Sequence, residues 1–240
     1  MSAQLLIYKN AVPVSKERHG DWSIEVKPDF SYANKLNLLP LLATEFIAAS
    51  REYPIVFSQN ENSIQPVALL GMKNEQNVYI DDKGNWTAKY IPAFLRRYPF
   101  VFGKTKEANQ FNLCIDESFH GIDKKGKTGK KLFGEDGEIS PYTSNVLKFL
   151  QIYQNDDSKT QSLCSKLKSL DLLEPQNAHW TAANGEKATL TGFSCLSRDK
   201  LKSLTAKDLT ELVKNNEMEL LYAHLLSLSN FQNFSQPPRT

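Results

Sequence analysis

The sequence predicts an α+β fold, with helices and strands in blocks rather than alternating singly. Three observations carry that prediction. The phrase REYPIVF at 51–57 returns as RRYPFVF at 96–102, a long helical periodicity follows Pro141, and two strand-like segments flank Asn184-Gly185.

Each copy of the phrase hands a helix over to a strand. Thr44 to Glu52 is a helical string with Thr44 at the N-cap position; Pro54, lacking an N–H, ends it and biases Tyr53 towards extended backbone. In the second copy Pro92 suits a first helical turn, Ala93 to Arg97 a short helix, and Pro99 the switch into a strand over Phe100 to Phe102. After the first copy QPVALLGMK and NVYIDDKGNW read as strand-like, separated by the polar turn Lys73 to Gln76; after the second, NQFNLCIDES reads as another strand. The 45-residue repeat is therefore an internal duplication of helix-then-strands units forming antiparallel sheet. Arg51, Tyr53 and Pro54, with Arg96, Tyr98 and Pro99, are its framework residues, locking helix to strand. Replacing Arg96 by Ala is accordingly expected to lower stability.

The remaining elements follow in order. Residues 120–140, rich in Gly with a basic run and then an acidic one, form an exposed loop. Its GKTGKK lacks the spacing of a phosphate-binding loop, and no strand leads directly into a helix there. Ser140 caps and Pro141 opens a helix whose apolar residues recur through Leu170, with Asn155 to Ser158 as a candidate bend or break. Strands over Ala178–Ala183 and Lys187–Leu196 flank Asn184-Gly185, a favoured hairpin turn. Thr205 caps a helix through Val213, and Met218 to Phe231 is a helix apolar on more than one face, suited to the core or to burial against another protein. These pieces are expected to make one α+β domain over 1–240: a duplicated half at 1–119, the loop at 120–140, a helix–hairpin–helix half at 141–234 and a frayed tail at 235–240.

Composition narrows the function classes. With 240 residues, 40% of them hydrophobic and 23% charged, the chain is ordinary globular protein, and 29 basic against 27 acidic side chains leave a net charge of +2. No overall field steers such a molecule onto nucleic acid, and the aromatic residues lie in apolar strands rather than on an exposed stacking platform, so no nucleic-acid partner is expected. No apolar run suffices for a membrane span or a signal-peptide core, which makes the cytoplasm the default compartment. Cys114, Cys164 and Cys195 stand far apart with no C-x-x-C and are read as reduced, buried thiols.

Constellations that carry chemistry are few. The histidines are His19, His120, His179 and His224. His19-x-Asp21 with a distant His179 or His224 has the residue types of an iron-binding facial triad, so these four are the metal candidates, although position 19 leaves room for barely one preceding strand. His19, Asp21, Arg96 and Tyr98 are the candidate catalytic set for an enzyme acting on a peptide or small molecule. No nucleophile elbow occurs around Ser194, and Asp116 and Glu117, adjacent on a strand, face opposite ways and make no two-carboxylate site by themselves. The turn-like DDKGNW lacks a calcium loop. No cofactor is expected.

One resemblance covers nearly the whole chain, from about Tyr8 to Phe234. YKNAVPVSKERHGDW, EFIAASREYPIVF, YIPAFLRRYPFVF, LCIDE, LFGEDGE, FLQIYQ, LDLLEP, LTGF and YAHLLSLSNF, in this order, resemble the bacterial SapC family. This family is distinct from the similarly named permease subunit of a peptide transporter, which spans the membrane. The resemblance implies a Gram-negative bacterial protein, associated by name with a surface layer and serum resistance, and often encoded near outer-membrane TonB-dependent receptors and tryptophan-halogenase-like enzymes. It carries no established reaction and no catalytic residue. The surface-layer label implies the cell surface, whereas the residues show neither a signal peptide nor Gly/Asp-rich calcium repeats. The expectation is therefore an intracellular accessory or binding protein of a cell-surface or TonB-receptor-linked system, acting with another protein through a groove between the duplicated units. An enzyme and a surface-layer component are the alternatives.

Overall fold

In a computed structural model the strands are β1 (Ala11–Pro13), β2 (Ser23–Ile24), β3 (Leu38–Pro40), β4 (Ile55–Gln59), β5 (Ile64–Leu69), β6 (Phe100–Lys104), β7 (Phe111–Asp116), β8 (Ile122–Asp123), β9 (Lys130–Lys131), β10 (Leu173–Thr181) and β11 (Lys187–Leu196). The helices are α1 (Lys16–His19), α2 (Phe46–Ala49), α3 (Ala93–Arg96), α4 (Pro141–Ser169), α5 (Arg198–Lys202), α6 (Ala206–Lys214) and α7 (Glu217–Ser227). The structure describes residues 6–25, 27–59, 63–104, 111–181, 185 and 187–235. Most of the expected tail, 236–240, and the turn residue Asn184 lie outside them. The fold is α+β with antiparallel sheets.

The chain gathers into two compact units, one of residues 1–28 and 95–155, the other of 29–94 and 156–240. Residues 1–119 and 141–234 each contribute to both. The two copies of the repeated phrase fall in different units: Tyr53-Pro54 leads into β4 in the second, Tyr98-Pro99 into β6 in the first, and in each the strand turns back into an antiparallel partner, β5 or β7. Tyr98-Pro99 is a cis peptide.

In the first unit β7 lies between β1 and β6, and a second small sheet has the order β8-β2-β9. Its core packs together Trp22, Ile24, Phe100, Ile115, Phe119, Leu132, Phe133 and Leu150, drawn from the strands, the segments beside them and α4. Residues 120–140, expected as a loop, thus supply two strands, because Ile122 and Asp123 and then Lys130 and Lys131 pair with β2 while Leu132 and Phe133 turn into the core. The Ser140 cap is present: its hydroxyl accepts the Thr143 N–H at 3.1 Å.

The second unit is built on a five-stranded sheet of order β10-β11-β4-β5-β3. Both β4 and β11 contact α7, and α2 packs on the same helix. The buried Phe46 and Phe57 meet edge to face at 6.3 Å. As expected, Cys114, Cys164 and Cys195 are free and buried; burial pushes the thiols of Cys164 and Cys195 up to about 12.

Four boundaries differ from the sequence reading. Thr44 is not an N-cap but lies inside a 3-10 turn, Ala43–Glu45, that leads into α2, and the helix ends at Ala49. NVYIDDKGNW forms only the isolated bridge Ile80–Trp86, because the Asp81 carboxylate takes the N–H groups of Lys83 and Asn85 and curls the segment into a turn. The candidate break at Asn155 to Ser158 is absent: no Gly or Pro occurs between Tyr142 and Ser169, and α4 continues through with Thr160 bonded back to the Asp156 carbonyl. Last, α7 tightens into a 3-10 helix at Leu228–Ser235, where the Asn230 amide donates to the carbonyls of Ser50 and Tyr53. Tertiary hydrogen bonds, invisible to periodicity, set that ending. The outer side of α7 leaves Tyr222 and Leu226, one turn apart, 49% and 68% exposed.

Candidate functional site

The richest polar constellation lies in the first unit, where the turn after β7 meets α1. Asp116 ends β7 fully buried and acts as an acceptor hub. Its carboxylate receives the N–H groups of Lys9 (2.8 Å), Asn10 (3.1 Å) and Ser118 (3.0 Å) and the Ser118 hydroxyl (2.6 Å). The Tyr98 hydroxyl approaches it at 3.4 Å. Burial alone would raise the pKa of this carboxyl, but the bonds from Ser118, Lys9 and Asn10 together outweigh it and hold the group below the usual aspartate range. Desolvation followed by the Asp116 charge pushes the Tyr98 phenol up to about 12.

The next residue faces the other way and serves α1. Glu117 accepts a bidentate pair of bonds from Arg18, Nε at 2.5 Å and Nη2 at 2.6 Å. It also meets His19 Nε2 at 3.2 Å. These contacts, Arg18 first, hold its carboxyl below the ordinary glutamate value. His19 is fully buried and its Nδ1 accepts the Ser15 N–H at 3.1 Å, so Nε2 carries the proton of the neutral ring and donates to Glu117. The edge of the Trp22 ring contacts the imidazole, with centroids 4.6 Å apart. A metal at Nε2 would have to displace Glu117.

The other sequence candidates are placed as follows. Asp21 is exposed at the rim of a cleft of about 560 Å³. In the second unit His179 is exposed, with Nδ1 3.1 Å from the Thr189 hydroxyl. His224 is fully buried there: Nε2 accepts the Leu196 N–H at 3.1 Å and Nδ1 donates to the Ile55 carbonyl at 2.9 Å. His120 is exposed and packs against Phe119 at 4.9 Å. Among the described residues no three His, Cys, Asp or Glu side chains cluster with metal-binding geometry.

The repeated framework residues divide by position. Tyr53 is fully buried; its hydroxyl donates to the Tyr90 carbonyl and accepts from Trp86 Nε1 at 2.9 Å. Arg51 and Arg96 lie on the surface, Arg96 over the Phe149 ring at 5.4 Å. The inward-turned helix-end position is one of the two at which the copies differ, Glu52 against Arg97 and Ile55 against Phe100. Glu52 accepts the N–H groups of Lys89 and Tyr90, while Arg97, 4% exposed, stacks its guanidinium on Tyr153 at 4.7 Å and Tyr8 at 5.7 Å. Matching identical letters drew attention to Arg96, whereas the helical turn points Arg97 inward. Arg97→Ala is therefore expected to destabilise by roughly 2–4 kcal/mol and Arg96→Ala by about 1 kcal/mol or less. Urea unfolding of the two variants checks that order, and an equal cost would refute it.

Sequence reasoning also missed Glu45. This buried carboxylate accepts the Leu42 N–H (3.0 Å), the Tyr90 hydroxyl (2.6 Å) and the Ala93 N–H (2.7 Å). A glutamate three residues after a leucine lacks the Ser/Thr half of a capping box, so nothing in the local pattern marked it. For Asp116 and Glu117 the signal was present, since adjacent carboxylates at a strand end must face opposite sides; apart from Ser118, most of their partners come from about a hundred residues upstream.

A family model, SapC, matches residues 14–234. No curated protein and no solved structure matches the chain.

Proposed function

Because the chain belongs to the SapC family, we propose that it is an accessory binding protein of a bacterial cell-surface or TonB-receptor-linked system, acting inside the cell on another protein and without a cofactor. The observation that supports binding over catalysis is that the side chains best suited to chemistry are engaged within the frame. His19 has both ring nitrogens bonded, Glu117 is clamped by Arg18, Asp116 is saturated by donors, and both nitrogens of His224 bond backbone groups. A general base or nucleophile needs a free lone pair directed at substrate, and each of these is directed at the protein. Among the described residues no helix is long and apolar enough to cross a membrane.

Native mass spectrometry of the protein taken gently from its own host tests the reading. A second protein at fixed stoichiometry is the expected result. A stoichiometric iron adduct would overturn it and make His19 and Asp21 the first residues to replace.

A further inference from the structure

Five lysines occupy the eight positions Lys124 to Lys131, a run that by itself describes a solvated loop. The fold gives three of them company. The cleft of about 560 Å³ in the first unit takes Lys124, Lys125 and Lys131 from this loop and Lys16 from α1, with Trp22 and Phe133 also in its wall. None of these four lysines forms an ion pair among the described residues. Arg18, the remaining cation of the lining, is held by Glu117. Asp123, the acid nearest the lysines in sequence, forms no ion pair with them among the described residues: its carboxylate accepts the N–H groups of Lys125, Lys127 and Thr128 and shapes the loop.

One ammonium group is held by an aromatic ring, and a second lies close over a glycine. Lys124 Nζ sits 5.0 Å from the centre of the Trp22 ring, a cation–π contact that holds it at the wall. Lys16 Nζ lies directly over residue 137, a glycine whose φ of +81° suits Gly and whose missing side chain leaves room for the ammonium. The lining also includes the carboxylates of Glu17, Asp21 and Glu135. Glu17 is turned back onto its own N–H and the Ser15 hydroxyl, which hold its carboxyl low and leave Asp21 and Glu135 as the acceptors facing a ligand. A long polyanion laid along this lining would meet those carboxylates. A compact ligand with one strongly charged group and several hydroxyls would set its hydroxyls, not its charge, against them, because ammonium groups suit phosphate as point charges and carboxylates accept from hydroxyls.

We propose that this cleft binds a phosphorylated, hydroxyl-bearing ligand such as a sugar phosphate, with Lys16, Lys124 and Lys131 on the phosphate and Asp21 and Glu135 on the hydroxyls. The site is independent of the protein partner proposed above. The same chemistry is offered by a free sugar phosphate and by the headgroup of a phosphorylated glycolipid or inositol lipid.

Isothermal titration of the full chain with glucose 6-phosphate at low salt tests the proposal, with inorganic phosphate and glucose alongside. The expected order is glucose 6-phosphate tightest, inorganic phosphate weaker and glucose undetected. Lys124→Ala/Lys131→Ala removes exposed side chains and is expected to weaken glucose 6-phosphate by about tenfold or more, whereas Lys168→Ala/Lys187→Ala, outside the cleft, leaves it unchanged. Asp21→Asn/Glu135→Gln is expected to weaken glucose 6-phosphate relative to inorganic phosphate. Competition by phosphatidylinositol vesicles assigns the site to a lipid headgroup, and failure to compete assigns it to a soluble ligand. Absence of glucose 6-phosphate binding, or binding equally affected by both lysine pairs, overturns the proposal.

Discussion

Asp116→Ala is expected to lower stability by roughly 3–5 kcal/mol, one of the largest single effects in the chain. Removing the carboxylate from a buried site is a small part of this. The larger part comes from the N–H groups of Lys9, Asn10 and Ser118 and the Ser118 hydroxyl, which lose their acceptor together. A buried or half-buried donor left unpaired costs about 1–3 kcal/mol, and solvent can reach Lys9 and Asn10 in part, which keeps the total below the simple sum. Asp116→Asn retains the shape and one acceptor oxygen and should cost about half as much. Urea denaturation of both variants reads the difference. A cost below about 1 kcal/mol for Asp116→Ala would show that the segment around Lys9 and Asn10 finds other acceptors. Because the folded state holds the Asp116 carboxyl below its ordinary value, its contribution is present above the unfolded aspartate pKa of about 4 and is lost as the pH falls through the folded value.

His224 produces a loss of stability of the same sign at higher pH. Desolvation lowers its pKa from 6.5 to about 4, partly opposed by the bond to the Ile55 carbonyl. The unfolded chain therefore binds a proton between these values that the folded chain refuses, so stability is complete above pH 6.5 and falls as the pH drops towards about 4. The loss amounts to roughly 3 kcal/mol across that window. His224→Ala should abolish this branch of the pH profile while lowering stability at neutral pH by roughly 3–4 kcal/mol, since the Leu196 N–H and Ile55 carbonyl lose their shared partner and Phe57 loses the ring 5.0 Å away. A wild-type profile flat between pH 6.5 and 4 would show that the imidazole is free to protonate in the folded state. The branches from His224 and Asp116 occupy adjacent pH ranges, so replacing His224 alone separates them.

Both residues were visible in the sequence, but their importance was not. His224 invited a ligand reading because a histidine has one lone pair available for a metal; packed beneath β4 and β11, it uses that lone pair for the Leu196 N–H. Asp116 and Glu117 were legible as carboxylates facing opposite ways, yet beyond the neighbouring Ser118 their donors come from Lys9, Asn10, Arg18 and His19, about a hundred residues earlier. The repeat shows the same limit at one position. Identity between the copies marked Tyr53 and Tyr98 and, with equal emphasis, Arg51 and Arg96, whereas the buried arginine is Arg97.

What the sequence determined by itself is everything that short-range chemistry dictates. Pro54 and Pro99, having no N–H, keep the backbone from entering β4 and β6 as helix, Ser140 and Thr205 cap helices with their hydroxyls, the absence of Gly and Pro lets α4 run for 29 residues, and aromatic and β-branched runs mark β4 and β6 as strands. Only the tertiary structure decided which strands became neighbours, how 1–28 joined 95–155 and 29–94 joined 156–240, and which polar groups were enclosed. The physical reason is that a buried carboxylate or imidazole is tolerated only where enough partners converge on it, and convergence is a property of distant segments rather than of neighbouring letters. The lysine cleft follows the same rule: a loop that reads as solvated becomes a candidate site once Lys16, Trp22 and Gly137 are brought beside it.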